Sequence, residues 1–348
     1  MKGEMNMAQR TVDVHNHWYP KEYLEYLCSR GSSMDPYMKH DGGTHYRGYH
    51  GGVACAHIDR AGHFDLEARI KDLDAAGLDT QVLSVTIPGP DTLEEENGIY
   101  WAKKCNDALK GAEEKYPGRF YFLATLPYQN PDEACKELER CIEMGCKGIQ
   151  FFSNFHGEPV FLPKFDGIWK LASDNKLPAL VHPANPLVGP VMDKVKIPYQ
   201  LWAYTLDTSM AVLSLIFQGK FEQFPNLRLV HGHLGGMVPY FVRRLQDSYK
   251  GYGKEWGIEL KESPDETYKR CVYPDTTSFY LPAMKCCLEW VGPGQMGIGT
   301  DYAHRVGDPE GAIKAVKDLG DQAGLNQDEI DMILGKNFEE LFNLPPMP

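Results

Sequence analysis

Apolar positions along the chain fall into two alternating patterns. Short, strongly apolar runs suit strands buried on both faces, and longer stretches with an apolar stripe suit helices that cover them. Residues 11–15 read as a first strand. Residues 65–76 read as a helix, with Leu66, Ile70 and Leu73 on one face. The run QVLSVT at 81–86 is a second strand, closed by Pro88, Gly89 and Pro90. A long helix over 92–116 opens on Asp91, Thr92 and three glutamates, a start signal. Strand three spans 119–126, and its helix, 131–144, is stopped by Gly145. Strand four (147–152) precedes a helix at 165–175, and strand five (179–182) one at 208–219. Strand six (227–233) leads into a helix at 238–249. A weak strand seven at 272–277, a helix at 282–290 and strand eight at 295–301 come next, before terminal helices at 309–319 and 328–342.

Eight strands, each followed by a helix, predict an α/β chain built as a (β/α)8 TIM barrel. A doubly wound sheet is the alternative, but no G-x-G-x-x-G follows the first strand and no Walker loop occurs. The expected organisation is one domain over 11–344, with 1–10 as a leader. Residues 29–63 interrupt the pattern. They are long, glycine-rich and weakly periodic, and they follow strand one, so they read as an active-site loop insertion at the barrel mouth.

Composition narrows the partners. With 43% hydrophobic and 24% charged residues the chain is ordinary globular protein, not a disordered or fibrous one. A net charge of −12 disfavours nucleic acid and anionic membrane, both of which need a positive face. A small anionic substrate stays open, since a few arginines can dominate a pocket. The longest near-apolar run, 210–217, is far short of the ~20 residues that span a bilayer, and no basic segment followed by an apolar one opens the chain. Nine cysteines at irregular spacing, none in C-x-x-C, argue for reduced thiols and a cytoplasmic location.

The chemistry sits at the expected strand ends. Strand one closes on Asp13-Val14-His15-Asn16-His17, and residues two apart on a strand point the same way, so His15 and His17 aim at one place. Strand five ends at His182, strand six at His231-Gly232-His233, and strand eight at Asp301. Barrel active sites lie at that face. Three imidazoles, one carboxylate and an open position suit a divalent metal, zinc first and manganese second.

These motifs, with GKFEQFPNLRLVHGH at 219–233, HLGGMVPYFVRR at 233–244 and ILGKNFEELFNL at 333–344, resemble the amidohydrolase superfamily. The similarity is to the branch of aminocarboxymuconate semialdehyde decarboxylase and related decarboxylases of aromatic acids. It implies one divalent metal held by His15, His17, His182 and Asp301, with His233 as the catalytic histidine and Asp301 sharing the catalytic site. It implies that Arg244 reaches a substrate carboxylate in the neighbouring subunit, hence a homodimer. Lys39 and Arg47 fall where relatives place further basic groups, and Arg47 is expected to bind substrate. Many members of the branch read Asp-Tyr-Pro after strand eight, whereas this chain has Asp301-Tyr302-Ala303-His304-Arg305. His304, with Arg305 beside it, therefore becomes a candidate for substrate contact.

Strand four ends in Phe151-Phe152-Ser153 without the lysine that bridges two metals in many hydrolases of the superfamily, which points to a single ion. His231 reads either as a donor behind the ligands or as a packed polar residue. His40, His45, His50, His57 and His63 crowd the long loop, and Trp18 and Tyr19 are expected to line the mouth. The resulting expectation is a metal-dependent carboxy-lyase acting on a conjugated or aromatic acid, with His233 delivering a proton. The alternative is a hydrolase or hydratase that uses the same parts to add water.

Overall fold

The computed structural model describes residues 9–347. The expected leader at 1–10 therefore lies mostly outside the described residues. Its last residue, Arg10, is buried and pairs with Glu339 at 2.6 Å.

Seven parallel strands form one curled sheet. They are β1 (Val12–Asp13), β5 (Thr80–Leu83), β6 (Phe120–Ala124), β7 (Gly148–Phe152), β8 (Ala179–His182), β9 (Leu229–His231) and β10 (Val272–Pro274), hydrogen-bonded in that order. Helices connect them, as parallel strands require. The helix Leu66–Ala76 is capped by Asp65, whose carboxylate accepts from the N–H groups of Glu67 and Ala68, and is closed by left-handed Gly77. The helix Pro131–Met144 starts on proline and ends at left-handed Gly145.

Strand alternation divides the core in two. Val12, Val14, Val82, Tyr121, Leu123, Leu180 and Val230 form the inner cluster, plugged by Phe338 and Phe342 of the C-terminal segment. The alternate positions, such as Ile149, Phe151 and Val181, pack outward against the helices.

Two expectations need correction. Residues 295–301 do not form a regular eighth strand. They run between the two edges of the sheet and touch each through an isolated parallel bridge, Asp275 with Gly297 and Asn16 with Tyr302. Backbone bonds reach both edges, from Gly297 N–H to the Pro274 carbonyl at 3.2 Å and from Asp301 N–H to the His15 carbonyl at 2.8 Å, and side chains add to them. Gly299 N–H donates to Thr276 Oγ1 at 3.2 Å, and Thr300 Oγ1 donates to Asp13 Oδ2 at 2.7 Å. Nor are residues 29–63 an irregular loop. They fold into a three-stranded antiparallel sheet of β2 (Tyr37–Gly42), β3 (His45–His50) and β4 (Val53–Ile58). Stacked pairs Tyr37–Tyr49 and His40–Tyr46 stabilise it across strands. Asn185, beyond β8, donates to the His50 carbonyl at 3.2 Å and ties this sheet to the C-terminal side of the large one.

Among the described residues no helix is long and apolar enough to cross a membrane, and all nine cysteines are unpaired.

Candidate metal centre and active site

The C-terminal ends of the strands converge on a cluster of imidazoles. One nitrogen each of His15, His17 and His182 lie within 4.8 Å of one another. The same spacing joins His15, His233 and Asp301, and joins His17, Asp301 and His304. Asp301 Oδ1 is 3.1 Å from His17 Nε2 and 3.8 Å from His15 Nε2. The His233 ring meets the His15 ring edge-on at 4.8 Å. Side chains from β1, β8, the turn after β9 and the 296–302 segment therefore meet at one point.

Each ring is set from behind. Asp275 Oδ2 lies 2.5 Å from His15 Nδ1, so the proton there belongs to that contact and Nε2 faces the cluster. His182 Nδ1 faces the Pro183 carbonyl at 2.9 Å, which likewise turns Nε2 inward. Burial, and after it the neighbouring imidazoles, holds His17 and His182 well below the usual histidine range, so both are neutral donors of a lone pair. Burial opposes charge on His15 too, but Asp275, then Asp301 and Asp13, outweigh it and raise His15 to about 9.

The residues fit a divalent cation on chemical grounds. His15 Nε2 and His17 Nδ1 are buried and have no hydrogen-bond partner. Orphaned buried nitrogens are costly unless something else satisfies them. A metal bound by imidazoles and one carboxylate does so.

A family model described as Amidohydrolase matches residues 12–344. The chain belongs to the amidohydrolase family. It is 26% identical to 2-amino-3-carboxymuconate-6-semialdehyde decarboxylase of Dictyostelium discoideum over 343 residues, 96% of this chain and 92% of that one. Over 190 residues, 51% of this chain and 58% of the relative, it is 32% identical to γ-resorcylate decarboxylase of Rhizobium sp. (strain MTP-10005). Its fold is similar to that of 5-carboxyvanillate decarboxylase LigW from Sphingomonas paucimobilis. That match has a TM-score of 0.83 at 22% identity and covers 97% of this chain and 100% of that one. A similar structure of 5-carboxyvanillate decarboxylase from Novosphingobium aromaticivorans, with TM-score 0.81 and 23% identity over 99% and 98% of the two chains, contains manganese and a nitro analogue of a hydroxybenzoic acid.

Among the other candidates, Arg47 and Arg305 turn away from the cluster. Arg47 alternates to the outer side of β3 and pairs with Asp41 at 2.5 Å, because its buried neighbours Tyr46 and Gly48 occupy the inner side. Lys39, opposite it, caps the Tyr49 ring at 5.2 Å. Arg305 turns outward to Asp59. Arg244 is exposed on the helix Val238–Tyr252, with no ion-pair partner among the described residues. The His304 ring lies 4.4 Å from the His17 ring, tilted by 39° to it.

His231 does not share the direction of His233. The regular strand stops at His231, and His233 and Leu234 adopt left-handed backbone, with φ of 55° and 58°. Alternation fails across that break. His231 therefore packs outward, with Nδ1 3.0 Å from the Tyr268 hydroxyl. Of the two aromatics ending β7, Phe151 packs outward on Trp169 at 5.0 Å, and Phe152 faces His182 at 6.1 Å.

Three contributors were absent from the sequence reading or discounted in it. Asp275 ends a strand whose apolar signal is weak. Arg69 is fully buried on the apolar face of its helix, over the Tyr302 ring at 4.8 Å. It donates to the Asn16 side chain at 3.0 Å and to the His17 carbonyl, clamping the turn that carries His15 and His17. His63, one of the crowd of loop histidines, is buried with Nε2 3.3 Å from His304 Nδ1. A cation inside a helical apolar stripe was the one legible signal for Arg69.

Proposed function

We propose that this amidohydrolase is a metal-dependent decarboxylase of an aromatic or conjugated carboxylic acid. The observation that carries the reading is the placement of His233 against the His15, His17, His182 and Asp301 cluster. The decarboxylase relatives support the reaction class.

His15, His17, His182 and Asp301 would hold one divalent ion, which when bound supplies Lewis-acid neutralisation of the substrate's carboxylate or an adjacent oxygen. Zinc and manganese both suit this donor set, and the manganese of the similar structure favours trying that ion first. Phe152 offers a flat apolar wall to the conjugated system. His304, beside His17, would stand at the substrate's edge. His233 delivers a proton to the ring carbon that bears the carboxylate; burial holds its imidazole below the usual histidine range, which makes its protonated form a stronger acid. The C–C bond then breaks, its electron pair restores the conjugated system, and CO2 departs.

The 296–302 segment supplies Asp301 and bonds to both sheet edges, so we read it as the eighth stave of a (β/α)8 barrel formed by residues 11–344. The small β2–β4 sheet stands over the mouth. Exposed apolar area lies at Leu187, Val191, Val195, Leu201 and Trp202, and at Tyr240 and Phe241 on the helix that carries exposed Arg244. A homodimer would cover it and bring Arg244 to the partner's substrate. Arg47 could join it only by leaving Asp41. Nine unpaired cysteines suit a reducing cytoplasm.

The test is incubation of manganese-loaded protein with a panel of hydroxybenzoic and muconic acids, following CO2 and products together. CO2 released in step with acid consumed is the expected result. Product that has gained water, without CO2, overturns the proposal in favour of hydrolysis or hydration.

A further inference from the structure

Asp275 is completely buried just beyond β10, where a carboxylate is costly unless its oxygens are used. Its oxygens are shared between the centre described above and its own turn. Oδ2 meets His15 Nδ1 at 2.5 Å. Oδ1 accepts from the backbone N–H of Leu234 at 3.0 Å and of Thr277 at 2.9 Å. One oxygen thus orients a ring whose Nε2 faces the cluster. The other grips the peptide that immediately follows His233.

That peptide needs an anchor. His233 and Leu234 both sit in left-handed backbone, which side-chain-bearing residues keep only when their surroundings impose it. The packing is correspondingly close. A Cβ on Gly232 would lie 2.9 Å from His15 Cε1, and one on Gly299 would lie 2.9 Å from Asp275 Cγ. Glycine at both places lets β1, the turn after β9 and the 296–302 segment close around the carboxylate.

We infer that Asp275 is a positioning residue that sets His15 and His233 relative to one another, one oxygen for each. It deepens the proposed function, since it rests on His15 as a metal ligand and His233 as the proton carrier. Its readouts need no turnover, so a failure to find a decarboxylated substrate leaves them intact.

Asp275→Asn keeps the shape and one acceptor. With that oxygen on Leu234 and Thr277, the amide NH2 faces His15 Nδ1, which must then accept, and the ring proton moves to Nε2. Manganese binding to metal-stripped protein, titrated calorimetrically, is expected to weaken roughly 10–100-fold. Amide exchange over 231–237 should stay as in the wild type. Asp275→Ala removes both contacts, so metal affinity falls and the Leu234 amide also exchanges faster. Circular dichroism establishes that both variants fold. Wild-type manganese affinity in D275N overturns the His15 arm. Unchanged Leu234 exchange in folded D275A overturns the His233 arm. Should D275A not fold, fast Leu234 exchange in the wild-type protein overturns that arm as well.

Discussion

Asp91 lies in the turn Pro90–Thr92, with Tyr23 and Tyr128 near it and no cation paired with it among the described residues. Its Oδ1 has no hydrogen-bond partner, and His156 reaches only its backbone carbonyl, at 2.7 Å. Burial lifts the carboxyl to about 7. An unfolded aspartate releases its proton near pH ~3.9. Between these values the folded chain holds a proton that the unfolded chain has lost, so stability falls as pH rises through that window and levels off above it. Asp91→Asn removes this penalty. It should be more stable than the wild type at pH ~8 by on the order of 2–4 kcal/mol, with no advantage at pH ~4; urea unfolding at both values checks it, and equal stability at pH ~8 contradicts it. His233 poses a different question, because it stands within ligand distance of His15 and Asp301. His233→Ala should keep its metal, measured by elemental analysis, and lose roughly 10²–10⁴-fold in rate. Loss of the metal would instead make His233 a ligand.

At the scale of elements, the 296–302 segment shows how a few backbone bridges, reinforced by side chains, can join two sheet edges without a regular strand. Gly297 passes so close to Phe338 that an added Cβ would lie 2.2 Å from the ring. Gly297→Ala should therefore destabilise by on the order of 1–3 kcal/mol through overpacking. A thermal melt matching the wild type would show that the C-terminal plug gives way more easily. The same segment marks the limit of what the sequence conveys. Where burial is continuous and the ends carry glycine or proline, the pattern reads to the residue, as in the helix 131–144 and the strand 179–182. That segment was legible in position, through Asp301, but not in form, since isolated bridges and the Thr276 and Asp13 side chains join it to the two edges without a continuous ladder. The β2–β4 sheet was hidden because glycines and histidines blur its alternation. The parity of His231 and His233 was lost to two left-handed residues that no periodicity encodes. Asp275 was invisible because its importance lies in partners 260 and 41 positions away.

For the whole molecule, the dimer proposal has a test that no single subunit can pass. If Arg244 serves the partner's site, His233→Ala and Arg244→Ala are each nearly inactive. Mixed, unfolded together and refolded, they should recover about a quarter of wild-type activity, because half the dimers are hybrids with one complete site each. No recovery, with dimers present by light scattering, would confine Arg244 to its own subunit. Within one subunit, the closing of the chain on itself has a consequence in time. Arg10 is paired to Glu339, and a Cβ on Gly335 would strike the Arg10 carbonyl at 1.9 Å, so β1 is seated by residues made more than 300 positions later. His17 waits 284 positions for Asp301. At ribosomal speeds of about 5–20 residues per second that is roughly 15–60 s during which its imidazole has no carboxylate to meet. If Asp301 completes the proposed metal site, a nascent chain halted before it should emerge without metal, which elemental analysis of the halted chain checks.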